Sequence, residues 1–249
     1  MNYPPPSQWL YAAILMFSLL SSNRLAAGGF APPEPSSSKP ARSVIVIGFV
    51  GGFVKTNDLV HEEVQLLTHL QRDYPSGIEA QIFANHLGRQ AHQQIMQWLD
   101  ADHNGTVSAQ EKLEARIVLY GHSWGASEVV TMARALEAEG IPVMLTIQVD
   151  SVSKRGEDDK FIPVNVAEAV NFYQLDGFLH GRRQILAADP SRTRILGNFR
   201  FGYKDKPINC SGYPWYAQMF MKPHIEIESD PRVWTQIESL IRSKLPLPG

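Results

Sequence analysis

The chain has 249 residues, 44% of them hydrophobic and 19% charged, with a formal net charge of -2. That is chain enough for one globular domain with a real core. The near-neutral balance, with no block of like charge, argues against nucleic acid as a partner and against electrostatic docking on an anionic membrane. Trp9 to Leu20 is apolar apart from Ser18, and Ala26 and Ala27 follow it. A run of this length suits the core of an export signal and is too short to span a bilayer unaided. No Lys or Arg precedes it. Residues 1–27 are read as a signal peptide, and the Pro- and Ser-rich stretch 28–42 as a linker. The expectation is an exported protein, periplasmic or extracellular, held at a membrane only if the N-terminal segment stays uncleaved. A single cysteine, Cys210, excludes an internal disulfide and reads as a small apolar packing residue.

From Ser43 onward, apolar runs alternate with helical patterns. Ser43 to Gly48 predicts a first strand, followed by the glycine-rich Gly48-Phe49-Val50-Gly51-Gly52-Phe53. Leu59 to Leu70 has helical spacing, Ile78 to Ala84 reads as a second strand and Gln90 to Leu99 as a second helix. Arg116 to Tyr120 is a third strand, with a helix from about Ala126 to Glu139 behind it. Val143 to Val149, Ala169 to Gln174 and Arg194 to Tyr203 complete the strands, and Val233 to Ile241 is a closing helix. Strands alternating with helices predict an α/β fold: a mostly parallel sheet of about six strands flanked by helices, over residues 43–249. Parallel sheets bind ligands at the carboxyl ends of their strands, so chemistry is sought there.

The segment at 100–111 is Asp-Ala-Asp-His-Asn-Gly-Thr-Val-Ser-Ala-Gln-Glu. It resembles an EF-hand loop throughout. Asp100, Asp102 and Asn104 offer side-chain oxygens at positions one, three and five. Thr106 offers its carbonyl, Ser108 acts through water, and Glu111 offers both carboxylate oxygens at position twelve. The loop predicts Ca2+ as a cofactor. A lone site with a short exit helix, about Ala109 to Ala115, implies a structural clamp more than a switch.

The third strand runs into Gly121-His122-Ser123-Trp124-Gly125, with a helix after it. This is G-x-S-x-G between a strand and a helix, the context in which a serine is raised above a sheet on a sharp turn. The elbow and the alternation around it resemble the α/β-hydrolase superfamily in its compact, lipase- and esterase-sized form. The resemblance implies acyl transfer to water through an acyl-serine, with the acid and then the histidine downstream of Ser123. Only His180 and His224 qualify as the base. His224 is favoured, lying after the last strand and before the closing helix, where the superfamily carries it. Asp150 and Asp176 each follow a strand, and Asp150 is favoured because it stands directly at the strand end. The same resemblance places the oxyanion hole in the backbone N–H groups of Phe49 or Val50 and of Trp124. His122 adjoins the serine with its side chain directed away, and orders the elbow. The expected substrate is a small-molecule or lipid carboxylic ester. The competing expectation is a non-catalytic calcium-binding protein on the same scaffold.

Overall fold

The computed structural model describes residues 43–247; the signal-peptide and linker segments at 1–42 lie outside the described residues. Six strands make one sheet: β1 (Val44–Val50), β2 (Ile78–Ala84), β3 (Ile117–His122), β4 (Val143–Val149), β6 (Val166–Gln174) and β8 (Arg194–Phe201), in the order β2-β1-β3-β4-β6-β8. Every neighbouring pair is parallel. The register sets Val46 beside Val118, Tyr120 beside Ile147 and Val149 beside Phe172. This is the fold class expected from the alternation, a parallel six-stranded sheet flanked by helices.

The central strands β1, β3 and β4 are buried along nearly their whole length because both sides are covered, while the edge strands β2 and β8 are partly exposed. Ile45, Ile47, Phe49, Ile117 and Leu119 face α2 (Gly88–Leu99) and α4 (Trp124–Ala138), meeting Ala91, Ile95, Val130 and Leu136. Val44, Val46, Val118, Tyr120 and Leu145 face α1 (Glu62–Asp73) and α7 (Pro231–Arg242), meeting Leu66, Leu70, Trp234 and Ile237. Each fully buried aliphatic side chain of this kind contributes about 1.5–3 kcal/mol. Among the described residues no helix is long and apolar enough to cross a membrane.

Several elements depart from the expectation. The first helix starts at Glu62, not Leu59, because Asp58 forms a turn first: its Oδ1 accepts from Val60 N–H and its carbonyl from His61 N–H. That leaves Leu59 59% exposed. The helix after the serine starts at Trp124, directly on the elbow. The exit helix of the acidic loop, α3 (Ala109–Leu113), is held by a capping box between Ser108 and Glu111. A two-stranded pair, β5 (Phe161–Ile162) and β7 (Leu186–Ala187), has no counterpart in the sequence reading. Nor do two short helices, α5 (Trp215–Phe220) and α6 (Lys222–Glu228). His224, expected in a connection, lies within α6.

Candidate active site

Ser123 sits between β3 and α4 with φ 58° and ψ -124°, a conformation a side-chain-bearing residue rarely adopts. Its surroundings hold it there. Ser123 N–H donates to the Val149 carbonyl at 2.9 Å, and its own carbonyl accepts from Ala126 at 3.1 Å and Val152 at 3.2 Å. The flanking glycines answer to close backbone packing. A Cβ on Gly125 would lie 2.1 Å from the Phe49 carbonyl oxygen, and one on Gly121 would lie 2.6 Å from the Gly125 carbonyl carbon. Larger residues would push α4 off β1 and close the elbow.

Asp150 stands one residue past β4, fully buried, with φ 43°. Its carboxylate is saturated with donors. Oδ1 accepts from Gly181 N–H at 2.8 Å and Gln174 N–H at 3.2 Å. Oδ2 accepts from Gln174 Nε2 at 2.8 Å and faces His224 Nδ1 at 2.7 Å. On the other side of the ring, His224 Nε2 lies 2.8 Å from Ser123 Oγ. The ionised carboxylate only accepts, so Nδ1 carries the hydrogen and Nε2 accepts from the hydroxyl. Three elements thus bring Asp150, His224 and Ser123 into one line. Such a line can take a proton from the serine and steady the imidazolium that forms.

The other candidates lie elsewhere. Asp176 Oδ2 accepts from Tyr203 N–H at 2.6 Å, and its Oδ1 is 3.7 Å from Arg200. It fastens the end of β8. His180 is exposed, with Nδ1 3.2 Å from the carbonyl of its neighbour Gly181. Trp124 opens α4, where a backbone N–H has no intrahelical acceptor, and Ser123 makes no side-chain cap that would consume it. Phe49 and Val50 close β1, and Phe49 is paired on both flanks, to Phe83 and to Gly121. The residue that passes against the serine is Gly51: a Cβ there would lie 2.9 Å from Ser123 Cβ. The Gly-Gly pair was a visible signal for it. Beside the elbow opens a cleft of about 640 Å³, lined by Gly52, Phe53, His86, Trp124, Lys154 and Arg155 among others. Phe53 meets Trp124 edge-on, with ring centroids 5.9 Å apart.

Residues of the acidic loop at 100–111 also meet. Carboxylate oxygens of Asp100, Asp102 and Glu111 lie within 4.8 Å of one another. Asp100 accepts from Asn104 and Gly105 N–H, Asn104 Oδ1 from Thr106 N–H, and Glu111 from Ala101 and Ser108 N–H.

Behind the elbow lies a buried polar cluster that the sequence reading did not find. His122 Nδ1 is 3.3 Å from Glu228 Oε2, and its ring lies 4.5 Å from that of His224. Glu228 also meets His61 Nδ1, and Glu63 completes the group. Burial pushes His122 well below the ordinary imidazole range, with His224 and His61 adding to the effect. It raises Glu63 strongly and brings Glu228 up to about 8. His122 was expected to order the elbow; its contacts with Glu228 and His224 are the ones available for that.

No protein-family model matches the chain, and no curated protein does. Among solved structures, an esterase from Pseudomonas putida is similar at 11% identity and a TM-score of 0.44, covering 85% of this chain and 77% of its own. The thioesterase RedJ of Streptomyces coelicolor is similar at 10% identity and a TM-score of 0.38, covering 88% and 98%. Human thioesterase 2 is similar at 9% identity and a TM-score of 0.39, covering 81% and 96%. Esterases and thioesterases therefore stand among its structural neighbours.

Proposed function

We propose that this chain is a serine hydrolase of carboxylic esters that works through an acyl-Ser123 intermediate. The observation that carries the reading is the continuous line from Asp150 Oδ2 through the His224 ring to Ser123 Oγ, at 2.7 and 2.8 Å. As Ser123 Oγ attacks the ester carbonyl carbon, His224 Nε2 takes the hydroxyl proton. Asp150 holds the ring in the correct tautomer and stabilises its positive charge. The carbonyl oxygen, now an anion, is met by the Trp124 N–H and by a backbone N–H of the turn after β1, where Gly51 passes against the serine. His224 then returns the proton to the departing alcohol, leaving the acyl group on Ser123. Water attacks that acyl group, again losing its proton to His224, and the acid leaves as the proton returns to Oγ. The cleft with Phe53 and Trp124 on its wall suits an apolar acyl or alcohol portion.

The test is labelling with a fluorophosphonate, with the adduct mapped by mass spectrometry. Labelling at Ser123 that disappears in Ser123→Ala and in His224→Ala supports the reading. A folded wild-type chain that takes no label in calcium-replete buffer would refute it and leave the non-catalytic scaffold.

We also propose a structural Ca2+ held by Asp100, Asp102, Asn104, Thr106 and Glu111. The donor set fits: all donors are oxygens, three from carboxylates, and hard oxygen ligands are what calcium takes. The ion would fix the loop that leads through α3 into β3, the strand ending at the elbow. Export, as expected from the sequence, would keep even a weak site filled from millimolar calcium.

A further inference from the structure

We propose that His61, Glu63 and Glu228 form a second metal site, for a divalent transition-metal ion of the zinc class. The proposal is independent of the ester-hydrolase reading. Glu63 is fully buried, and neither of its carboxylate oxygens meets a hydrogen-bond donor; the Glu228 carboxyl is the polar side chain beside it. Glu228 is 3% exposed and His61 9%. One donor atom from each of the three residues lies within 4.8 Å of the other two. Among the described residues neither carboxylate is paired with lysine or arginine; the ion-pair partners of Glu228 are His61 and His122.

Two buried carboxyls side by side are neutralised either by protons or by positive charge, and a dication supplies that charge at one point. The donor types set its class. An imidazole nitrogen with two carboxylate oxygens suits zinc and its neighbours, whereas the calcium loop offers oxygen alone. Metal–donor bonds of about 2.0–2.2 Å set the donors of one tetrahedral site about 3.3–3.6 Å apart, so the cluster needs only slight closure around an ion. The surroundings fit as well. Asp58 Oδ2 stands 4.0 Å from His61 Nε2, the ring nitrogen turned away from the cluster. A carboxylate hydrogen-bonded behind a ligating imidazole orients the ring, and Asp58 would have to close by about 1 Å to do so. The Tyr120 hydroxyl donates to the Glu63 carbonyl at 2.9 Å, and the Tyr213 ring meets His61 edge-on at 5.2 Å.

The position gives the ion its consequence. His61 and Glu63 belong to the start of α1, and Glu228 closes α6, one turn after His224. The ion would tie these two helices together behind the elbow, with His122 between it and His224.

The test uses the full chain, stripped with a chelator and titrated with Zn2+ against a chromophoric competitor. Melting is followed in parallel. Asp100→Asn with Glu111→Gln removes the calcium loop from the count. One zinc per chain is expected in wild type and in that double variant, with a higher melting midpoint when zinc is present. Glu63→Gln and His61→Asn are expected to weaken zinc by about 100-fold or more, at or beyond the upper end of outer-partner losses, and to lose the shift in melting. No zinc uptake by stripped wild type would overturn the proposal. So would unchanged affinity in Glu63→Gln, which would mean that the two carboxyls share only protons. Should the variants not fold, X-ray absorption on the zinc-loaded wild type decides. A shell of nitrogen and oxygen with one imidazole supports the site, and sulfur or several imidazoles would refute it.

Discussion

Replacing Asp150 with asparagine preserves shape and removes a charge, and the contacts around it set the cost. Both carboxylate oxygens already accept two bonds each: Oδ1 from the Gly181 and Gln174 backbone, Oδ2 from Gln174 Nε2 and His224 Nδ1. An amide group has one oxygen. If that oxygen faces the backbone donors, its NH2 points at His224 Nδ1. The ring must then accept there, and its hydrogen moves to Nε2, where it can no longer receive the serine proton. If the amide is turned round, two backbone N–H groups lose their acceptor, at about 1–3 kcal/mol each. The first arrangement is the cheaper, and it leaves the base in the wrong tautomer. The expected loss in kcat is about 10⁴-fold, as in a triad of the same geometry, which corresponds to about 5 kcal/mol of transition-state stabilisation. The assay is steady-state hydrolysis of p-nitrophenyl esters of short acids, with circular dichroism to verify folding. Asp176→Asn is the control and should remain within a few-fold of wild type. A folded Asp150→Asn enzyme within tenfold of wild type, or the opposite ranking of the two variants, would refute the reasoning.

Three further outcomes follow from the same geometry. Gly125→Ala places a Cβ 2.1 Å from the Phe49 carbonyl oxygen, so α4 must move. A loss of about 1–3 kcal/mol or more in urea unfolding is expected, together with loss of activity; an unchanged midpoint would show that the elbow is not tight. Removing Ca2+ with a chelator should lower the melting midpoint by about 5–10 °C, the effect of a ligand at about 100 times its Kd on a domain of this size. Glu111→Gln should melt at the lower midpoint with or without the ion, and a chelator that leaves wild type unchanged would count against the site. Cys210 is buried and burial raises its thiol, so little thiolate exists at pH 8. Alkylation by iodoacetamide should be slow in the native protein, faster as pH rises and fast in denaturant; equal rates in native and unfolded chains would contradict this.

The parts of this protein legible in sequence are those written over a short span. The elbow occupies five consecutive residues and the acidic loop twelve, and both lie at the positions read for them. The central strands β1, β3 and β4 were legible because burial on both faces makes them near-continuous apolar runs. The helix carrying His224 was not. Lys222 to Glu228 alternates around Ile225 and Ile227, has Pro223 in its first turn, and lacks a side-chain cap, so no helical signal stands out. His224 itself was readable from its place after the last strand. The left-handed backbone of Asp150 leaves no mark in sequence, since the donors that hold it, Gln174 and Gly181, come from a later strand and its loop. The same holds for Glu63 and Glu228. Glu63 reads as one more helical glutamate and Glu228 as a charge in a connection, and only the meeting of the start of α1 with the end of α6 brings them together.

The order of elements along the chain has a consequence for synthesis. All six strands of the sheet precede residue 224, the last of them ending at Phe201. A ribosome therefore delivers every strand, the elbow and the acid before it delivers the base. On the proposed mechanism, Ser123 would have nothing to take its proton during that interval. On that mechanism, a nascent chain stalled short of α6 would lack the histidine that the reaction needs.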